Sequence, residues 1–428
     1  MKNKQKSLKL NFIMNAILTM SSFLFPLITF PYVSRVLLPA GTGRVSFANS
    51  VVTYFVMISQ LGIPTYGIRA CAVVRDDEEK LKKTVYELFI INVVMSIFAY
   101  VVFFNALASV PRLRADRNLF LITSTLIFFN TIGVEWLYKA LEQYTYITIR
   151  SIIFKFIALI AMFVLVRKVD DYVIYGGISI FAASASNVFN FIRLRKIIGT
   201  KKVSNLNFNK HFKPVFTFFI ISCATTIYTN LDNVMLGFMK DDVEVGYYNA
   251  ATKIKNILVS IVTSLGTVLM PRASYYIQQE MWDEFYKLSK KAIKFVLLAA
   301  ASMMIYFMIF AREGVLFLSG ETFGGAVVPM IIIMPTLLFI GLTNIMGIQM
   351  LIPMGNENAV MISTFAGAIV DLILNAIFIP FLGSSGAAIG TLVAEFVVLI
   401  VQMVYLKKDV KYLYSNQSYF KIIIALAI

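Results

Sequence analysis

Residues 10–33 read LNFIMNAILTMSSFLFPLITFPYV, twenty-four positions without one charged side chain. Wound as an α-helix, that run extends ~36 Å, which is enough to cross ~30 Å of hydrocarbon. Lys2, Lys4 and Lys6 precede it. A cleaved signal peptide would have a shorter apolar core that soon meets a small-residue cleavage site. Here the run continues through Pro26 and Pro31, so it reads as a retained first membrane helix.

Working outward, comparable runs recur near 45–67, 84–107, 119–138, 149–166, 172–192, 214–238, 249–270, 292–311, 326–349, 358–379 and 386–405. These twelve predict an all-α integral membrane protein. A thirteenth run, 419–428, has about ten residues, too few to span, and is expected to be the start of a truncated additional helix. Composition points the same way: 59% of the 428 residues are hydrophobic and 14% charged, with a mean hydropathy of +0.77. A soluble interior grows too slowly with length to hide so much apolar surface.

The net charge of +16 would suggest nucleic acid in a soluble protein. Here 27 of the 39 Lys and Arg flank alternate loops on the side of the N-terminus, nine lie opposite, and Lys155, Lys253 and Lys255 fall within runs. The positive-inside rule therefore predicts a cytoplasmic N-terminus in a bacterial inner membrane, and no nucleic-acid partner. Cys71 and Cys223 are about 150 residues apart and predict no disulfide. The single histidine, His211, sits in the longest basic stretch, 193–213, where solvation is expected. One His and two distant Cys assemble neither a zinc site nor a Cys/His catalytic pair. With short loops and no phosphate-binding glycine loop, the sequence reads as neither an enzyme nor an ATP-driven pump.

The basic stretch divides the chain into two expected six-helix bundles, 1–205 and 206–405, followed by a cytoplasmic linker and the truncated helix over 406–428. The halves share a layout: Gly43 precedes Arg69-Ala70 by the same interval as Gly246 precedes Arg272-Ala273. A parallel repeat of this kind places a central site between pseudo-symmetric halves.

Polar stripes mark that site. Asn249, Lys253, Asn256, Ser260, Thr263 and Thr267 follow helical spacing, as do Ser222, Thr225, Thr229 and Asp232. Asn11, Asn15, Ser22, Pro26 and Thr29 line the first run, and Ser46, Asn49, Thr53, Gln60 and Pro64 the second. Such faces avoid lipid tails, so they line a wet cavity or hydrogen-bond to neighbouring helices. Lys253 lies on its stripe, whereas Lys255, ~200° around the helix, is expected to snorkel outward. Lys155, about six residues from the end of its run, is open to the same reading. Asp232 lies at a depth that permits pairing with Lys253, and Asp371 and Glu395 lie deeper; these carboxyls are candidates for proton or cation coupling or for structural hydrogen bonds. Arg35 closes the first run as an interfacial anchor or as part of a cationic phosphate site.

Four stretches carry a family resemblance: 31–37 (PYVSRVL) with Gly43; 231–237 (LDNVMLG) followed by 245–251 (VGYYNAA) and Lys253; 352–357 (IPMGNE); and Asn375, Pro380, Gly383, Gly386, Ala387 and Ala388 with Ala394-Glu395. Over nearly its whole length the chain resembles polysaccharide repeat-unit flippases of the Wzx type, in the multidrug/oligosaccharidyl-lipid/polysaccharide (MOP) exporter superfamily. It departs from the family where 37–41 reads LLPAG instead of the common Leu-Gly-Pro. The resemblance implies a MATE-like V-shaped pair of bundles around a cationic cavity. There Arg35, Lys253, Asn249, Asn256, Asn15, Asn49 and Gln60 would meet an undecaprenyl-pyrophosphate-linked oligosaccharide destined for capsule, O-antigen or exopolysaccharide. It implies alternating access coupled to H+ or Na+ through Asp232, Glu395 or Asp371, no bound cofactor, and membrane lipids, polymerase and glycosyltransferases as partners. A lipid II-type flippase and a multidrug/cation antiporter share the superfamily. A membrane-embedded polymerase would need a large loop that the sequence lacks.

Overall fold

The computed structural model describes residues 8–199, 205–407 and 409, and every regular element among them is helical. Helices satisfy their own backbone hydrogen bonds, as hydrocarbon demands. Two compact units, Met1–Thr226 and Ile227–Ile428, divide the chain. The expected thirteenth helix lies outside the described residues.

In the first unit, α1 (Leu8–Gln60) carries two apolar runs and breaks at Leu38, whose φ of 59° lies in the left-handed region. Pro39 follows, and a residue before proline is already driven from helical geometry. The chain continues through α2 (Ile63–Val73), α3 (Glu78–Ser109), α4 (Arg117–Gly133), α5 (Tyr144–Leu165), α6 (Tyr172–Ile180) and α7 (Asn187–Ile198). Helix α8 (Asn209–Met239) begins in this unit, and the boundary between Thr226 and Ile227 falls within it. In the second unit follow α9 (Asp242–Gln278), α10 (Trp282–Ile309), α11 (Val327–Ile333), α12 (Thr336–Thr343), α13 (Glu357–Leu382) and α14 (Ser384–Tyr405). Asp77 and Asp241 cap α3 and α9, each accepting from the backbone N–H three residues on at 3.0 Å.

Eight of the described helices are long and apolar enough to cross a membrane, or ten when two bent pairs count as single spans. The difference from twelve apolar runs arises in two places. Helix α1 carries two runs, one on either side of its break at Leu38, within a single long stretch, and α4 has only 17 residues. One bent pair turns by 47° at Pro335, which has no N–H to give the preceding turn. Large apolar side chains point outward; Phe156 is 62% and Phe381 82% exposed, as expected where acyl chains are the solvent.

Helices α1 and α5 run parallel. Thr148 Oγ1 donates to the Met14 carbonyl at 2.8 Å, Lys155 Nζ to Ser21 Oγ at 2.9 Å, and Tyr32 Oη to the Val166 carbonyl at 2.8 Å, all at a sequence offset of 134. Around this ladder pack Val33, Leu37, Ala158, Met162 and Val166. A second core gathers Ile63, Val85, Leu88, Leu137, Tyr138 and Val215. There Gly62, at φ 72°, lies against the backbone of Val215, Phe218 and Phe219, where any Cβ would collide.

Candidate functional site

The second unit contains a buried carboxyl cluster supplied by four helices. Asp232 lies near the end of α8, and Tyr248 and Lys255 on α9 are seven residues apart, so both face it. Helix α13 presents Asp371 and Asn375, and α14 presents Thr391 and Glu395, each pair four residues apart on one face. Asn375 Nδ2 donates to Asp232 Oδ1 at 2.6 Å, and Thr391 Oγ1 to Asp232 Oδ2 at 3.0 Å. The Tyr248 hydroxyl also donates to Asp232 and lies 2.8 Å from Thr391 Oγ1.

Asp371 lies beside Asp232, and Lys255 is within electrostatic reach of Asp232, Asp371 and Glu395. Tyr228 lies beside Glu395 without closing a well-formed hydrogen bond to it. All three carboxyl residues are buried, Asp371 almost completely. Gly390 makes this packing possible: a Cβ there would collide with the Asn375 carboxamide oxygen and stand 3.0 Å from Asp371 Oδ1. Those two oxygens, close to one point, are buried and without a hydrogen-bond partner. Among the described residues no group of three or more His, Cys, Asp or Glu is arranged to hold a metal ion. The oxygen donors of the cluster are instead mixed: carboxyl, carboxamide and hydroxyl.

The other candidates are distributed along the helices. Asn249 is buried and Asn256 exposed on α9, with the half-buried Lys253 between them. In the first unit Asn15 is exposed, and the exposed Arg35 donates to the Pro31 carbonyl one turn back at 2.6 Å. Asn49 Oδ1 and Gln60 Nε2 are buried without partners. The structure thus brings Asp232, Asp371 and Glu395 into one cluster. It does not bring Arg35 to Asn15, Asn49 or Gln60 through any hydrogen bond among the described residues.

Three expectations change. Asp232 pairs with Tyr248, Asn375 and Thr391 and has Lys255 near it, because Lys255 shares the face of Tyr248 and does not turn outward. That seven-residue spacing is the signal that sequence reading passed over. His211 is 2% exposed, not solvated: Nε2 is 2.9 Å from Glu87 Oε2, and Nδ1 is 2.9 Å from the Tyr66 hydroxyl. Glu87 is fully buried, also taking the Asn207 N–H and the Lys210 ammonium at 2.7 Å each. Lys155 sits at the centre of α5, because that helix starts at Tyr144, earlier than the apolar run suggested.

Comparison with known proteins places this architecture. Residues 8–277 match the family model described as polysaccharide biosynthesis protein, and residues 218–377 match the MatE model. The chain is 24% identical to the "Putative O-antigen transporter" of Escherichia coli (strain K12) over 414 residues, covering 96% of this chain and 99% of the relative. The protein of the same name from Shigella dysenteriae is 23% identical, covering 90% and 96%. Among solved structures, the lipid II flippase MurJ in its inward closed conformation is similar at a TM-score of 0.73 and 16% identity, covering 97% of this chain and 93% of that one. An inward-facing multidrug resistance MATE transporter of the MOP superfamily is similar at 0.70 and 13%, covering 95% and 99%. With a multi-pass helical fold like that of MOP transporters, and a family model that matches well over half its length, this chain belongs to the polysaccharide biosynthesis protein family.

Proposed function

We propose that this protein is a flippase. It carries undecaprenyl-pyrophosphate-linked oligosaccharide repeat units from the cytoplasmic to the outer leaflet of a bacterial inner membrane, with its N-terminus in the cytoplasm. The product would feed O-antigen, capsule or exopolysaccharide synthesis. The substrate reading is supported by relatives named as O-antigen transporters that align over almost their full length.

The observation that carries the mechanism is the buried cluster of Asp232, Asp371 and Glu395 with Lys255. Three carboxyls and one ammonium in an apolar bundle leave negative charge that is expensive to bury unless protons or small cations neutralise it. The unpartnered oxygens of Asp371 and Asn375 support the same reading, since both are acceptors awaiting a positive partner. Loading and unloading of H+ or Na+ at these residues would bias two conformations and drive the lipid-linked sugar across by alternating access.

The test is genetic and chemical. Deleting the gene should leave lipid-linked repeat units on the cytoplasmic leaflet, and the wild-type gene should restore surface polysaccharide. Asp232→Asn should reach the membrane yet fail to restore it. Normal export with that variant would remove the coupling role, and absence of trapped repeat units in the deletion strain would remove the substrate class.

A further inference from the structure

Lys155 lies 11 residues after the start of α5 and 10 before its end, so its backbone is ~15 Å from either end of the helix. A lysine at that position has no short route to an interface. Its ammonium donates to Ser21 Oγ at 2.9 Å and Ser22 Oγ at 3.0 Å, both on α1. No carboxylate pairs with it among the described residues. The carboxylate whose field it feels, Glu135, already holds Lys139 at 2.8 Å and Arg150 at 3.7 Å, so cations outnumber anions three to one there.

Two neutral hydroxyls take two of the three ammonium protons and leave the charge uncompensated. The neighbouring face of α1 explains what could supply the missing anion. Asn15, Thr19 and Ser22 lie on one side of that helix and are exposed, while Ile13, Ile17, Met20, Leu24 and Ile28 form a separate exposed apolar side. The apolar side suits acyl chains. On the polar side the Thr19 and Ser22 hydroxyls donate to the Asn15 and Leu18 carbonyls one turn back, which leaves the Asn15 carboxamide as the group that acyl chains do not suit, and Ser22 belongs both to this side and to the seat of Lys155.

We infer that Lys155, seated by Ser21 and Ser22, is a binding residue for the phosphate oxygens of a lipid passing through the mid-depth of the first unit. This deepens the flippase reading and rests on it. A resident phospholipid keeps its headgroup at the interface, so a phosphate at this depth belongs to a lipid in transit. The serines fix the ammonium against α1, and its third N–H together with the exposed Asn15 carboxamide is left to receive oxygens. The bland alternative is that Lys155 only zips α1 to α5.

Binding to the full chain in nanodiscs distinguishes these. The probes are a short prenyl pyrophosphate, the matching prenyl alcohol and phosphatidylglycerol, measured on wild type, Lys155→Met, Lys155→Arg and the Ser21→Ala/Ser22→Ala pair. Loss of one charge-assisted hydrogen bond should weaken prenyl pyrophosphate at least about tenfold in Lys155→Met. The alcohol should be unaffected, Lys155→Arg should retain most of the affinity, and the serine pair should lose several-fold with its charge intact. Unchanged pyrophosphate affinity in Lys155→Met would overturn the inference while leaving the flippase reading standing. So would equal losses for alcohol and pyrophosphate, which mark a packing role, or equal losses for phosphatidylglycerol, which mark an ordinary headgroup site. A wild-type protein that binds no prenyl pyrophosphate would overturn both.

Discussion

Removing the Glu87 carboxylate should be among the most damaging single changes in the first unit. Glu87→Ala deletes three hydrogen bonds at once: the Asn207 N–H at 2.7 Å, the Lys210 ammonium at 2.7 Å and His211 Nε2 at 2.9 Å. The partly buried hydrogen bond from the Asn207 N–H is worth about 1 kcal/mol. Lys210 is 43% exposed and water replaces its partner, so its share is about 0.5 kcal/mol. His211 is buried, and the loss there is about 1.5–3 kcal/mol. The sum, about 3–4.5 kcal/mol, falls within the range for breaking a buried ion pair from one side. In a unit of this size each kcal/mol moves the melting midpoint by about 2–4 °C, so circular dichroism in detergent should show a fall on the order of 10 °C. Hydrogen exchange should accelerate over residues 205–213, which the carboxylate ties to α3. Glu87→Gln keeps an acceptor for Asn207 and should lose about half as much. A Glu87→Ala protein that melts with wild type and protects 205–213 equally would show that the network contributes nothing.

Three further outcomes follow from the second unit. Gly390→Leu forces a side chain against Asn375 and Asp371; it should abolish surface polysaccharide in a complementation assay and lower the melting midpoint, whereas the same change at Gly324, which has open space around it, should do neither. Lys253→Ala should eliminate surface polysaccharide while leaving the protein in the membrane fraction, as its polar stripe implies. Lys255→Ala, which the sequence suggests is milder, should be equally severe because the charge of Lys255 acts on all three carboxyls of the cluster; robust export with it would show that the cluster does not need that charge.

The helical membrane fold was legible because one signal dominates: apolar length, repeated and punctuated by basic loops. The carboxyls were legible too, since Asp232, Asp371 and Glu395 are anomalies against an apolar background. What escaped was partnership. Lys255 was read by its angle from Lys253, when the relevant neighbour was Tyr248, seven residues back on the same face. Asn375, Thr391 and Tyr248 are unremarkable one by one, and only the convergence of α8, α9, α13 and α14 makes them ligands of one carboxylate. His211 was read as solvated because its surroundings in sequence are basic. Its actual partner, Glu87, comes from 124 residues away, a distance that local pattern does not reach.

The parallel ladder between α1 and α5 also sets a timetable for synthesis. Because its rungs share an offset of 134, the opening helix leaves the ribosome well before the helix it docks against exists. At about 5–20 residues per second that interval is roughly 7–27 s. Through it, the Met14 carbonyl and the Ser21 and Ser22 hydroxyls wait without the α5 groups that later bond to them. The register of those rungs is therefore sensitive to any one-residue insertion or deletion between Met14 and Tyr32, while the intervening spans can change length without disturbing it.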